Sequence, residues 1–409
     1  MTSPATASQP SAVPEHVHLL ERALDHIRHL VEEIGPRPSG SQNEYRASLY
    51  LADQLSGWGY SLTRQPAPFA RPSLFFYPNI FAGFALCLAS WLLNRFPWLA
   101  LGMPFLFAAL PEWARWTLRR CPRPYQTENL LAASQPSSEP ELVLYLCAHL
   151  DTAPALSFPL PILTRLHSQR MYLIQRAAVG LAILALLRIL GFELPLVISS
   201  AAGIIGSLAA IWWLYDQILT RPSRFIPCSP GAHDNASGVG VLLALAEYYA
   251  ARPLQKVHLN FLFTGAEECG MHGAEAFASL LHPSSQPNAF LVLDMVGAGN
   301  ALRYVSKDGI FFPLRTSPAL NRLICAANPQ ARTLRYTLRS GDHTAFIRRG
   351  FPTAALQTSG SHKAELAYHS LEDTLAVIDP HALEITLDTV IGVIERLDSI
   401  GLAGLTKNS

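Results

Sequence analysis

Four long, nearly charge-free stretches constrain this chain more than any other feature of its 409 residues. Residues 74–93 and 194–215 carry no charged side chain at all. At ~1.5 Å of rise per residue, about twenty such residues make a helix long enough to cross a bilayer. Residues 96–110 are shorter and interrupted by Pro104, and residues 172–190 carry Arg176 and Arg188 near their ends. The runs pair off in sequence, which predicts two helical hairpins that enter an apolar phase and return. Trp91, Trp98, Trp113, Trp116, Tyr172, Trp212 and Trp213 lie near run ends, where an aromatic belt sits. Buried core helices or a hydrophobic oligomer interface would carry the same composition, and residues 172–190 could lie in a membrane interface rather than span it.

Composition agrees with an apolar partner: 50% of residues are apolar and only 15% charged, too few charges for an ordinary soluble enzyme of this length. Lys+Arg 31 and Asp+Glu 30 nearly cancel, so no basic excess exists to displace counterions from nucleic-acid phosphates. Arginines such as Arg71, Arg119, Arg165 and Arg221 flank the hairpins on the side of the remaining chain. By the positive-inside bias, that remainder is expected on the cytoplasmic face of an inner or plasma membrane. The first twenty residues have neither a basic start nor an apolar run, which argues against a cleaved secretory signal. Six scattered cysteines without a CxxC pair read as reduced thiols, with a bridge between Cys121 and Cys228 left open.

Outside the hairpins, strand-like and helix-like segments alternate, as in an α/β sheet flanked by helices. Residues 15–34 have helical apolar spacing and stop at Gly35–Pro36. The histidines in or beside that helix (His16, His18, His26, His29), together with His233, His258, His272, His282, His362 and His381, fit no ligand pattern and read as surface residues. Residues 142–147, 257–263, 290–293 and 353–356 read as buried strands. The stretch 261–277, FLFTGAEECGMHGAEAF, reads strand, turn, helix and puts Glu267–Glu268 at a strand's carboxyl end, where open α/β sheets place their chemistry. Taken alone, that glutamate pair would be a solvated loop. Other strand ends, however, offer His149, Asp151 and Asp294, and nearby loops offer Asp234 and His369. So many carboxylates and imidazoles at one sheet edge repel unless cations compensate. Two divalent ions would do so, zinc first and cobalt or manganese as alternatives, because the set is imidazole plus carboxylate without sulfur.

Five motifs in order, AHLDTA, GAHDNASG, TGAEECGMHG, LDMVG and YHSLEDT, make the chain resemble the M28 family of zinc aminopeptidases, the bacterial leucyl-aminopeptidase type. The resemblance implies a mixed, mostly parallel central sheet flanked by helices, the zinc-exopeptidase fold (phosphorylase/hydrolase-like). It also implies two Zn2+ ions, one held by His149 and Asp294, the other by Glu268 and His369, with Asp234 bridging. Glu267 matches the general base and Asp151 the carboxylate that orients His149. His343 matches a position the family often keeps, with a structural hydrogen bond as an equal reading. The family's soluble members lack the two apolar pairs. The expected organisation is therefore a mobile tail at 1–14, one discontinuous peptidase domain at 15–71, 122–155 and 225–401, and inserted transmembrane hairpins at 72–121 and 156–224. Those hairpins are expected to pack together and hold the catalytic mouth near the bilayer, with peptides as substrates. Glutaminyl-peptide cyclase, a glutamate-type carboxypeptidase and a metal-free receptor or scaffold are the alternatives.

Overall fold

A strand whose every side chain is buried organises the sheet: β3 (Leu142–His149), LVLYLCAH, is inaccessible along its whole length. Such a run can only be an interior strand covered on both faces. The computed structural model of the protein describes residues 15–70, 76–120, 123–135, 140–155, 170–219, 227–282, 287–309, 313–336 and 340–406. The tail expected over 1–14, and Cys121, lie outside the described residues. Cys87, Cys147, Cys269 and Cys325 are free thiols.

Among the described residues nine strands form one sheet. They are β1 (Ser61–Phe69), β2 (Tyr125–Ala133), β3, β4 (Val257–Thr264), β5 (Asn288–Leu293), β6 (Ala301–Asp308), β7 (Leu314–Arg315), β8 (Arg332–Tyr336) and β9 (Thr353–Ser359). Their order is β1-β2-β4-β3-β5-β9-β6-β7, with β8 also paired to β6. The four central strands, β4-β3-β5-β9, run parallel, and β1 and β2 continue the sheet antiparallel. Register then brings the predicted residues together. His149 lies opposite Thr264, three residues before Glu267, and Cys147 lies opposite Val292, which puts Asp294 level with His149. β2, β6, β7 and β8 were not anticipated, since their exposure alternates or is mixed and they lack a continuous apolar run.

Helices cover the sheet. α1 (Glu15–Arg28) and α2 (Gln42–Gly57) precede it, the latter capped by Ser41 Oγ accepting from the Glu44 amide. Two pairs then interrupt the sheet: α3 (Phe76–Trp91) with α4 (Pro97–Arg120), and α5 (Arg170–Ile189) with α6 (Leu196–Leu219). The rest are α7 (Ser237–Ala250), α8 (His272–Leu280), α9 (Pro318–Ala327), α10 (His343–Arg348), α11 (His362–Ala367), α12 (Pro380–Ile400) and α13 (Ala403–Thr406). α7 packs on α1 and α12 over one face of the sheet, so nearly all of its side chains are buried.

The two pairs pack on each other, α3 against α6 and α4 against α5. Leu86, Leu93, Phe107, Ile174, Leu181 and Trp213 form their interior, a cluster separate from the core of the sheet. Close approach depends on small residues: a Cβ on Gly206 would fall 1.7 Å from Ser90 Oγ. Ser207 Oγ accepts from Trp91 Nε1 at 2.8 Å across the same seam. Small residues and interhelical hydrogen bonds are what helix pairs use when water does not drive them together. Outside, Phe84, Leu88, Trp98, Phe105, Ile183 and Leu208 stand exposed. Among the described residues one helix, over Leu196–Tyr215, is long and apolar enough to cross a membrane, while Ile80–Trp91 and Pro97–Phe107 are shorter apolar stretches.

Three histidines expected at the surface are buried: His26, His233 and His272. Each has found work that a sequence does not display. His26 Nδ1 meets Tyr50 Oη at 2.7 Å, His233 Nδ1 accepts from the Gly297 amide, and His272 Nε2 accepts from the Ala70 amide.

Candidate metal centre

Each predicted ligand arrives on a different element. β3 ends in His149, the loop before α7 carries Asp234, the turn after β4 carries Glu267 and Glu268, β5 runs out into Asp294, and the loop after α11 carries His369. The structure brings them to one place. His149 Nε2 lies 3.2 Å from Asp234 Oδ1 and 3.6 Å from Asp294 Oδ1. His369 Nε2 lies 3.2 Å from Asp234 Oδ2 and 3.3 Å from Glu268 Oε2. The two oxygens of Asp234 therefore face two different imidazoles, each with a second carboxylate beside it. Ligand atoms of His149, Asp234 and Glu268 all lie within 4.8 Å of one another.

The donor set fits cations between these atoms. Glu268 Oε1 and Asp294 Oδ1 are buried without a hydrogen-bond partner among the described residues, an arrangement that costs free energy unless a cation meets them. In the protein alone the imidazoles supply that charge. Burial pulls the His149 ring down, but bonds to Asp151, Asp234 and Asp294 outweigh it and hold the ring well above its ordinary value. Burial also lowers His369, yet Glu268 and Asp234 push it up to about 10. For Asp234 burial favours the protonated form, and the two imidazoles reverse that and hold it below the usual carboxylate range. Glu267 stands apart. Its carboxyl is raised well above the ordinary value by burial first, with the His149 field opposing and Glu268, Asp342 and Asp294 adding.

The backbone that presents these groups is held in sparsely populated conformations. Ala266, Met295 and His369 have φ of 52°, 52° and 51°, positions where an L residue is strained and where functional sites concentrate. Ala266 immediately precedes the glutamate pair, Met295 follows Asp294, and His369 is itself a candidate ligand. Gly231 (φ 65°) turns the chain into the Asp234 loop, and a Cβ there would fall 2.3 Å from Thr152 Cγ2.

Hydrogen bonds around the cluster overdetermine those conformations. Asp151 accepts from the Glu267 amide at 3.0 Å, the Glu268 amide at 3.1 Å and Ser39 Oγ at 2.6 Å. His149 Nδ1 lies nearer the Asp151 carbonyl oxygen, 3.1 Å, than the Asp151 carboxylate, 3.5 Å. The carboxylate's closest partners are thus Ser39 Oγ and the two glutamate amides, and the imidazole is oriented chiefly by the backbone. Asn235 donates to the Leu293 carbonyl and accepts from the Met295 amide, bracketing Asp294 on both sides. Asp373 accepts from the amides of His233 and Asp234 at 2.7 and 3.1 Å.

Arg37 joins three of these segments. Its guanidinium is fully buried and donates to the carbonyls of Leu30, Gly35, Leu150, Pro230 and Gly231. Glu44 sits behind Ala266, accepting from the Gly40 amide, Thr127 Oγ1 and the Ala266 amide. Burial, with Asp151 nearby, raises its carboxyl to about 8. Sequence reasoning passed over Arg37, Glu44 and Asp373. Arg37 and Glu44 lie in what reads as a polar turn, and only the position of Asp373 inside YHSLEDT could have drawn notice. His343 Nε2 lies 3.2 Å from Asp308 Oδ2, at ion-pair distance without hydrogen-bond alignment, and both residues are buried. Cys269 Sγ turns to Ser39 Oγ, 3.3 Å away, rather than toward the ligands.

Residues 215–394 match the family described as Peptidase family M28. The chain is 29% identical over 188 residues to a vacuolar membrane protease of Clavispora lusitaniae, covering 42% of this chain and 17% of that protein. It is 26% identical over 181 residues to aminopeptidase YwaD of Bacillus subtilis, covering 41% and 38%. The chain thus spans well under half the length of either curated relative. In fold it resembles a leucine aminopeptidase precursor from Bacteroides thetaiotaomicron, with a TM-score of 0.55 at 16% identity over 92% of this chain and 96% of that one. It likewise resembles a glutaminyl cyclase from Bacteroides thetaiotaomicron crystallised with N-acetylhistamine, with a TM-score of 0.53 at 16% identity over 92% and 97%.

Proposed function

The chain carries a Peptidase family M28 segment over residues 215–394, and from that premise we propose that it is a membrane-anchored metallopeptidase that removes N-terminal residues from peptides with two divalent cations, zinc first. The observation that carries this reading is the divided carboxylate of Asp234, one oxygen toward His149 and the other toward His369. In this reading His149 and Asp294 would hold one ion and Glu268 and His369 the other, with Asp234 shared between them. Bound there, the ions supply Lewis acidity toward the scissile carbonyl and make water a stronger acid.

The chain's own groups do the rest. Glu267 removes the proton of the attacking water and delivers it to the leaving amine. Its raised proton affinity, which burial causes, suits a group that must take a proton and give it back. Asp151 fixes the base by holding the amides of Glu267 and Glu268, and Asn235 fixes Asp294 in the same way. Membrane attachment through the two helical pairs is supported by their exposed apolar side chains and by the long apolar helix over Leu196–Tyr215. The Clavispora lusitaniae relative, a vacuolar membrane protease, agrees with it. In this reading residues 72–121 and 156–224 are the anchor, and the rest of the chain faces the cytoplasm.

Glu267→Gln tests the chemistry. The variant should keep its metal content by mass spectrometry and lose roughly 10² or more of its turnover of aminoacyl-anilides. Unchanged turnover would remove Glu267 as base, and a chain that binds no zinc would end the metallopeptidase reading. Glutaminyl cyclisation is the second reading, favoured by the fold likeness to the Bacteroides thetaiotaomicron cyclase. A metal content of about one equivalent, with cyclisation of N-terminal glutamine and no anilide hydrolysis, would select it.

A further inference from the structure

We propose that helix α5 of the second pair forms one wall of the substrate cavity, and that Arg176 on it, together with Arg335, binds a carboxylate of short peptide substrates. The proposal rests on the peptidase reading for where the substrate's amino end lies. A cavity of about 480 Å³ opens beside the metal-ligand cluster, lined in part by Met295, Tyr336, Tyr368, Leu173, Arg176 and Arg335. Met295 follows Asp294 directly, and the Tyr368 ring stacks on His369 at 3.8 Å, so the cavity is continuous in the chain with the candidate ligands. Its volume lies in the range that holds a small organic ligand, a size a di- or tripeptide shares.

Two arginines on α5, Arg176 and Arg188, have different surroundings. Arg188, at the far turn, donates to the carbonyls of Phe192 and Asn94. Among the described residues the Arg176 and Arg335 guanidiniums have no such partner, and both face the cavity lining. An ionisable side chain within an apolar helix is costly unless it faces a water-filled cavity and meets a counter-charge there. The lining also holds one carboxylate, Glu365, so the cavity has an excess of one positive charge. With the amino end of a peptide at the cluster, a carboxylate further along the peptide would meet the guanidiniums, whose fork matches it in shape.

The test uses the full-length, zinc-loaded protein in detergent. Its substrates are Ala-Ala-Ala as the free acid, the same tripeptide as the C-terminal amide, and an amide with Glu in second position. The free acid should be hydrolysed with a kcat/KM about tenfold above that of the amide, as one charge-assisted hydrogen bond implies. If the Glu-containing amide regains that advantage, the side chain is an equivalent source of the carboxylate. Arg176→Gln with Arg335→Gln should bring the acid-to-amide ratio close to one, Arg176→Lys alone should keep most of it, and Arg188→Gln should leave it unchanged. A wild-type ratio near one, or an unchanged ratio in a double variant that melts like the wild type, overturns the proposal. Should no peptide be hydrolysed, the peptidase reading fails, and calorimetric binding of the same acid and amide still decides. Affinity that depends on the carboxylate and is lost in Arg176→Gln upholds the cavity assignment, and equal affinities refute it.

Discussion

The sheet and the four-helix bundle both bury large apolar side chains, but they leave different surfaces outside. Around β3 the large apolar residues go inside and the polar ones collect at one edge, where His149, Asp234, Glu268, Asp294 and His369 meet. In the bundle, small residues such as Gly206 and Ser90 occupy a seam while Phe84, Ile183 and Leu208 face outward. A water-driven core gains by hiding its largest apolar groups. Helices in lipid gain nothing from hiding them and associate through close contact and hydrogen bonds instead. The difference is the one expected of a chain that meets two solvents, as the proposed membrane attachment requires.

That contrast can be broken at either end. The largest expected effect is in the sheet half. Arg37→Met removes a buried cation from five carbonyls in three segments, so unfolding free energy should fall by about 3–5 kcal/mol. Zinc affinity should fall with it and the bundle should remain helical. A melting temperature equal to wild type would mean that the segments hold without their staple.

Next comes the outer face of the bundle. Leu208→Arg should cost about 2.5–3.5 kcal/mol if that side chain sits in hydrocarbon, which fractionation after alkaline extraction would register as loss from the membrane. A gain in soluble, folded protein would instead mark the face as a protein interface. A smaller effect is expected at the seam, where Gly206→Ala forces a Cβ against Ser90 and should loosen the bundle by about 1–3 kcal/mol. Ser90→Gly should restore it if the contact is the cause.

The smallest effect is a pH dependence confined to the sheet half. Burial first, then Arg123, lowers His272 to about 4, and burial first, then Arg22, lowers His26 to about 4. Both folded values lie below the ordinary 6.5, so the folded chain resists protonation. Their contribution to stability is complete above about pH 6.5 and is lost as pH falls toward 4. Replacing His272 with Gln should flatten thermal stability against pH by about 1 kcal/mol at pH 5.5, and parallel curves would exclude His272 as a source.

Much of the candidate site was legible in the sequence, because ligand chemistry needs particular residue types at strand ends. His149, Glu267, Glu268 and Asp294 each follow an apolar run that could only be an interior strand. The polar frame was not legible. Arg37, Glu44, Asp373 and the buried His26, His233 and His272 read as turn or surface residues, since a polar side chain looks the same in sequence whether water or a buried carbonyl satisfies it. Strands β6 and β8 were missed for a related reason: half-buried strands near a sheet edge need no continuous apolar run.

The order of residues alone determined which segments are long, apolar and nearly free of charge and which side chains had the chemistry to hold a divalent cation. Only the folded arrangement decided that Asp234 stands between two imidazoles and that Arg176 looks into the cavity beside them. Apolar runs and donor types are properties of neighbouring residues, whereas both of those placements depend on groups far apart in the chain, brought together by the register of a parallel sheet and the packing of two inserted helix pairs.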